Sequence, residues 1–444
     1  MVFLSVSILA AVLCFSLLFA LFNNINLTGI LYLTFILILR LVNACKRVTN
    51  LHCYVPPNKT TIEKAISELK ENSKQKSSSK GISIPLASIP LSKDKLYTDA
   101  YSFLVNIYVA SFLSLLVCVL IETLFNLFGK LEVGSLFLGL FLFLLHILLY
   151  LIFLYHREPS SCIRSIFVVG ICSFVVSFIG QTVGLEKWTL IDSEHTLRQL
   201  HIRSQSQGLR ISGEFVNFLY IFTVAVICAL STCCLVGSCQ EQAISFSHVD
   251  REFEEAPSEN VSNSFRRFLL RLDLIFPLLL AVFFFRLLQE DFASFWSNSK
   301  GFIVHSILVF LYLSLHLWSI RQYCQDFLNS GMEAVQVALA EKDIQKTRAL
   351  PLVLRYLIEN LSFVLYKYFI TLSLLACVCL IRIRILSLVG SFPKVEETSV
   401  LFYTIPLACF YSVVELLLLW LLLTKFVLVY GSLMWNKLKV IVYK

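Results

Sequence analysis

The chain has 444 residues, of which 57% are apolar or aromatic and only 15% charged, with a mean hydropathy of +0.78. That composition excludes a water-soluble globular protein. Lysine and arginine exceed aspartate and glutamate by 37 to 29, a net charge of +8, which in so apolar a chain speaks of loop orientation and not of nucleic acid.

A hydrocarbon core about 30 Å thick takes about 20 apolar residues per helical crossing, and runs of that length recur from end to end. The predicted fold class is all-α, a polytopic transmembrane helix bundle. Residues 2–22 and 27–44, parted by the polar turn Asn23-Asn24-Ile25-Asn26, read as an N-terminal hydrophobic hairpin or signal-anchor over 1–44. The first run lacks the basic segment of an ordinary signal peptide.

Residues 45–96 form a basic linker in which Lys59, Lys64, Lys70, Lys74, Lys76 and Lys80 alternate with glutamates and the run Ser77-Ser78-Ser79. The pattern predicts a short helix over 61–72 and then a disordered stretch, with too little apolar side chain to bury a core. From 97 onward the bundle proper is predicted, with crossings at 101–128, 134–155, 166–183, 215–235, 268–287, 302–320, 356–386 and 401–430. These eight, plus the two N-terminal runs, give eight to ten.

Between crossings, Cys233, Cys234 and Cys239 are expected at a helix end, where a palmitoylated site is one reading, and the acidic stretch 248–264 is expected to be a solvated loop. Leu328, Met332, Val335 and Leu339 recur at helical spacing, predicting an amphipathic helix at about 321–347 that continues the preceding crossing along the cytoplasmic interface. Pro351 is expected to turn the chain into the next crossing.

Alternate loops carry very different numbers of basic residues. Ten fall in 45–96, two in 156–165, three in 237–267, five in 321–355 and three after Tyr430, against seven on the other side. Cytoplasmic loops hold the excess, so both termini are expected inside if all ten runs cross. The sequons Asn58-Lys-Thr and Asn260-Val-Ser fall on the predicted cytoplasmic side, where no glycan is added; a glycan on either would reverse the orientation.

Ionisable groups within the runs require partners, water or a task, because each costs ~2.5–3.5 kcal/mol at the bilayer centre. Arg40, Arg286, Arg382, Arg384 and Lys425 lie near run ends and are expected to snorkel to the headgroups. Glu122, Lys367 and Glu415 are deeper, and Lys367 is the cation expected opposite Glu415. Asn126, four residues after Glu122, shares its helix face. His146, His305 and His316 read as hydrogen-bonded core residues. Arg271 and Asp273, two apart, must each look to a different neighbouring helix. The outer loop's His195 and His201 are six apart, unlike ligands on one helix face. With 15 glycines, close glycine-mediated helix packing has little raw material.

No nucleophile elbow, HExxH, P-loop or paired-glycine nucleotide motif occurs, so no enzyme, cofactor or metal is expected. The bilayer is the evident partner, with ion channels or other membrane proteins as further candidates. One familiar order of features stands out: Lys95-Leu-Tyr, then Tyr101-Ser-Phe-Leu-Val, Leu120-Ile-Glu-Thr-Leu-Phe-Asn126, Leu269-Leu-Arg-Leu-Asp-Leu-Ile-Phe-Pro277 and Leu317-Trp-Ser-Ile-Arg321-Gln-Tyr-Cys-Gln-Asp-Phe-Leu328-Asn. Together these resemble the transmembrane protein 161 family over residues 54 to about 375. The resemblance implies a eukaryotic multi-pass, non-enzymatic protein of about eight to ten helices, associated with membrane excitability and stress responses. Glu122, Asn126, Pro277, Arg321 and Leu328 fall on the family pattern. Lys367 and Glu415 match no motif of it, and the region after Arg384 departs from it.

The basic-residue count makes 45–96 cytoplasmic. A single cysteine at Ser78 is expected to resist an impermeant thiol reagent applied outside intact cells; strong labelling there would invert the topology.

Overall fold

In the computed structural model the described residues are 52–54, 59–74, 88–90, 100–127, 134–184, 189, 212–255, 261–285, 299–340, 344–389 and 407–442. The two N-terminal runs, Arg40, Arg286, His195 and His201 lie outside them. Two short strands, β1 (His52–Tyr54) and β2 (Ser88–Pro90), accompany nine helices: α1 (Lys59–Lys74), α2 (Ala100–Leu127), α3 (Gly134–Arg157), α4 (Ser160–Val183), α5 (Gly213–Glu255), α6 (Val261–Val282), α7 (Ser299–Ala340), α8 (Ile344–Val389) and α9 (Leu407–Val442).

Seven helices among the described residues are long and apolar enough to span a membrane: α2, α3, α4, α5, α7, α8 and α9. The chain is therefore an integral multi-pass membrane protein with an all-α bundle. The crossing expected at 268–287 corresponds to α6, which carries Arg266, Arg267, Arg271 and Asp273 in its first half and is too charged to join the seven.

The chain divides into two compact units. The larger contains Tyr108–Leu317 and Phe369–Lys444. Within it Pro159, whose extended backbone (φ −64°, ψ 150°) precedes the first turn of α4, joins α3 to α4, and α4 packs along α5. Gly184 ends α4 in the left-handed region at φ 91° and donates its N–H to the Gly180 carbonyl, a conformation that glycine adopts without a Cβ penalty. α4 is peripheral, with only 22% of its span buried, and Phe167, Val168, Ile171, Val175 and Val176 face outward. In lipid, that outward face needs no covering. α8 is the most enclosed span, at 78%.

Water contributes no hydrophobic drive between helices inside a bilayer, so close packing and interhelical hydrogen bonds hold them. Ser173 of α4 and Thr232 of α5 share a hydrogen bond of 2.6 Å, and the Trp420 indole of α9 donates to the same Thr232 hydroxyl at 3.0 Å. Ser238 of α5 meets Thr371 of α8 at 3.1 Å. Gly139, Gly170, Gly237 and Gly331 stand at close approaches. A Cβ on Gly139 of α3 would stand 2.5 Å from Ile381 Cγ1 of α8, and one on Gly237 of α5 would stand 3.1 Å from the Tyr150 hydroxyl of α3.

α5 does not stop near Leu235. It continues to Glu255, so Cys233, Cys234 and Cys239 lie mid-helix, Cys234 and Cys239 fully buried. They are not at a helix end, because the helix runs on through Gln240, Glu241 and Gln242 into the acidic stretch, which is helical up to Glu255 and not a loop there. Cys118, Cys228, Cys377 and Cys379 are likewise buried as small apolar side chains.

The second unit contains Trp318–Tyr368 and the described part of Ala20–Ile107. β1 and β2 pair antiparallel, Cys53 opposite Ile89. The helix expected over 61–72 runs from Lys59 to Lys74 and does bury an apolar face: Ile62, Ala65 and Ile66 are covered, and Ala65 packs with Val335, Ala338 and Leu350. The expectation that the linker could bury no core failed because its few apolar residues share one helix face against a surface supplied by α7 and α8.

α7 is 42 residues long, ~63 Å, about twice the hydrocarbon thickness and so longer than a single crossing requires. Its C-terminal half is the predicted amphipathic segment, and its stripe at Leu328 and Val335 is buried in protein. Pro351 is not a turn. It lies inside α8, seven residues after Ile344, where its ring removes the N–H that would donate to the Thr347 carbonyl without ending the helix.

Gly139→Val is expected to force α3 and α8 apart at a cost of about 1–3 kcal/mol, the usual range for overpacking. A clear fall in thermal stability in detergent is the readout; an unchanged melting temperature would show that Ile381 can yield.

Candidate functional site

Four clusters of buried polar groups lie inside the larger unit. The first joins α2, α3 and α8. Glu122 and Arg384 are both 0% exposed, with Arg384 Nε donating to Glu122 Oε2 at 2.9 Å. Further partners come from the start of α3, where the Ser135 N–H donates to Glu122 Oε1 at 2.8 Å and the Ser135 hydroxyl donates to Oε2. The carboxylate thus caps α3, satisfying one orphan N–H where the helix dipole favours negative charge. The Asn126 side chain lies outside the described residues.

The second joins α6, α7, α8 and α9. Arg382 Nε donates to Glu415 Oε1 at 2.6 Å, and its Nη1 meets His305 Nδ1 at 2.5 Å. Arginine only donates, so Nδ1 accepts and the ring's proton sits on Nε2, which donates to the Leu280 carbonyl at 3.2 Å. Two contacts therefore agree on one neutral tautomer. The Arg382 guanidinium also lies 5.8 Å from the centre of the Phe284 ring. Glu415 is 3% exposed, and its Oε2 has no hydrogen-bond partner among the described residues.

The third joins α5, α6, α7 and α9. Asp273 accepts from Gln242 Nε2 at 2.9 Å and from His316 Nδ1 at 3.0 Å. Lys425 Nζ lies 3.1 Å from both ring nitrogens of His316. A point in the ring plane equally near both would collide with Cε1, so the ammonium sits over the ring face, and it is also 5.0 Å from the Tyr312 ring centre. Pro277, four residues after Asp273, removes the N–H that would take the Asp273 carbonyl, loosening α6 where this carboxylate turns inward.

The fourth is uncharged. His146 lies between Ser111 of α2, 2.8 Å from Nε2, and Ser373 of α8, 2.5 Å from Nδ1, under the Tyr108 ring at 4.4 Å. Either serine can donate or accept, which suits a neutral imidazole.

The remaining candidates lie elsewhere. Arg271 is half exposed and shares Asp250 with Arg267, at 3.2 and 2.7 Å respectively. Lys367 is in the second unit, its ammonium 4.7 Å from the Phe363 ring centre. Glu415 takes its cation from the same helix as Lys367 but four turns later, at Arg382. The expected snorkelling of Arg382, Arg384 and Lys425 is overturned: all three are buried, 2% exposed or less. Headgroups could have hydrated them only by leaving Glu122, Asp273 and Glu415 uncompensated.

Among the described residues no three His, Cys, Asp or Glu side chains converge to hold a metal. A cleft of about 450 Å³ on α4, α5 and α9, floored by Gln240, Gly431 and Ser432, includes no member of the four clusters. No known protein family, curated protein or solved structure matches the chain.

Removing one member of a buried ion pair strands the other, at about 3–5 kcal/mol, whereas apolar replacement of both is often neutral. Arg382→Met alone should sharply lower folded yield, and Arg382→Met with Glu415→Leu should recover most of it, by size-exclusion profile and melting temperature. A double variant as poor as the single would show that the pair is not the unit of stability.

Proposed function

We propose that the chain is a non-enzymatic multi-pass membrane protein acting as a regulator or accessory subunit of the machinery of membrane excitability or ion homeostasis. The observation that carries this reading is the compensation of the buried charges. Glu122 with Arg384, Glu415 with Arg382, and Asp273 with His316 and Lys425 brace different helices against one another. A bundle cross-linked in this way presents fixed lateral surfaces to neighbouring membrane proteins. The resemblance to the transmembrane protein 161 family points the same way. Depleting the protein from an excitable cell should change action-potential duration, and re-expression should restore it. Unaltered currents under voltage clamp would overturn the proposal.

A second reading, a transporter or channel lined by intramembrane charges, is favoured by one specific regularity. α6, α7 and α9 each contribute a group to both the second and the third cluster, namely Leu280 and Asp273, His305 and His316, and Glu415 and Lys425. Each cluster holds one acid, one imidazole and one cation.

A further inference from the structure

On α7, His305, Val309, Tyr312 and His316 follow one another at spacings of four, three and four, forming one buried stripe. His305 and His316 are eleven residues apart, ~16 Å, and Glu415 and Lys425 on α9 are ten apart, ~15 Å. The two clusters therefore sit about half a hydrocarbon thickness from each other. Between them lie Val309 and Leu313 of α7 and Leu418, Leu419 and Leu422 of α9, all buried. The phenol of Tyr312 interrupts this apolar layer and stacks on His316 at 6.0 Å between ring centres.

The geometry points to a proton path along this stripe, with Glu415 and Asp273 as its two carboxylate stations. This rests on the second reading above and names its ion. The chemistry that singles out a proton is the donor set. Each station offers one carboxylate and one imidazole, and among the described residues neither gathers the three or more such ligands that a metal ion would need. A proton adds instead to a lone pair already present, and Glu415 Oε2 is such a lone pair. The groups facing Glu415 are Arg382 and Cys379 of α8, His305 of α7 and, one turn back on α9, Tyr411. Those facing Asp273 are Gln242 of α5, His316 of α7 and Lys425 of α9, with Cys239 of α5 near the lysine.

In the step itself a proton from water bonds to Glu415 Oε2, turning carboxylate to acid. The O–H bond then breaks, and the proton passes by water and the Tyr312 hydroxyl, which accepts one proton as it gives up its own. It bonds to the Asp273 carboxylate and leaves from there to water on the opposite side. Only O–H bonds form and break, no electron moves, and one proton is taken up for each one released. The apolar layer makes the crossing slow, as in a transporter, and not channel-like.

The test is the full chain in liposomes containing a trapped pH dye, with a potassium diffusion potential set by valinomycin. Wild type should carry protons faster than protein-free vesicles. Tyr312→Phe, which removes one oxygen, should lose part of that flux. Arg382→Met with Glu415→Leu, chosen because apolar replacement of both partners is expected to keep the bundle folded, should fall to the protein-free level with its melting temperature retained. Arg355→Gln, on an exposed pair with Glu359, serves as the unchanged control. Proton flux at the protein-free level, or a folded double variant conducting like wild type, would overturn the path. Sodium, potassium or chloride flux without proton flux would overturn the proton assignment while sparing the transporter reading. Vesicles tight to every ion would remove both.

Discussion

An ionised group in hydrocarbon must be compensated from within the protein, and much of this bundle follows from how α8 does so. Arg382 and Arg384 are two residues apart, so a helix aims them about 200° apart, in nearly opposite directions. One meets Glu122 of α2 and the other Glu415 of α9. A single short segment thereby ties two sides of the bundle to its most enclosed helix. Ser373, nine residues before Arg382, adds a third tie through His146 of α3. The helix with the most partners is thus the one with the largest buried share, and α4, which contributes only neutral hydrogen bonds such as that of Ser173, lies at the edge.

The helical crossings were legible because each is a run of apolar residues of the length a bilayer demands, and that signal is local. Helix ends were less so. α5 and α7 outrun their expected crossings, 215–235 and 302–320, by many residues, since a helix keeps its backbone hydrogen bonds whether or not its side chains are apolar. The linker helix α1 shows another blind spot: three apolar residues on one face look negligible until a complementary surface exists.

At the candidate site, the acids could be read from sequence and their partners could not. Glu122 and Glu415 stand out as deep carboxylates, and Asp273 as one that needs a partner on another helix. Arg382, Arg384 and Lys425 were assigned to the headgroups by their distance from the run ends. Charge balance was the neglected signal, because three deep carboxylates need three cations, and Lys367 alone could not serve. Ser135, Gln242, Ser111 and Ser373 carried no local mark at all; their importance comes from facing a charge or an imidazole on another helix.

The pairing of Glu122 with Arg384 spans 262 residues of chain. At a synthesis rate of about 5–20 residues per second, the carboxylate enters the membrane roughly 13–50 s before its guanidinium has been made. During that interval α2 is a helix with an unmet charge near its end, and α3 begins without the cap that Ser135 will share. Insertion and assembly of this protein are therefore separated in time, and its early helices need the translocation machinery, or another membrane protein, to shelter them until α8 arrives.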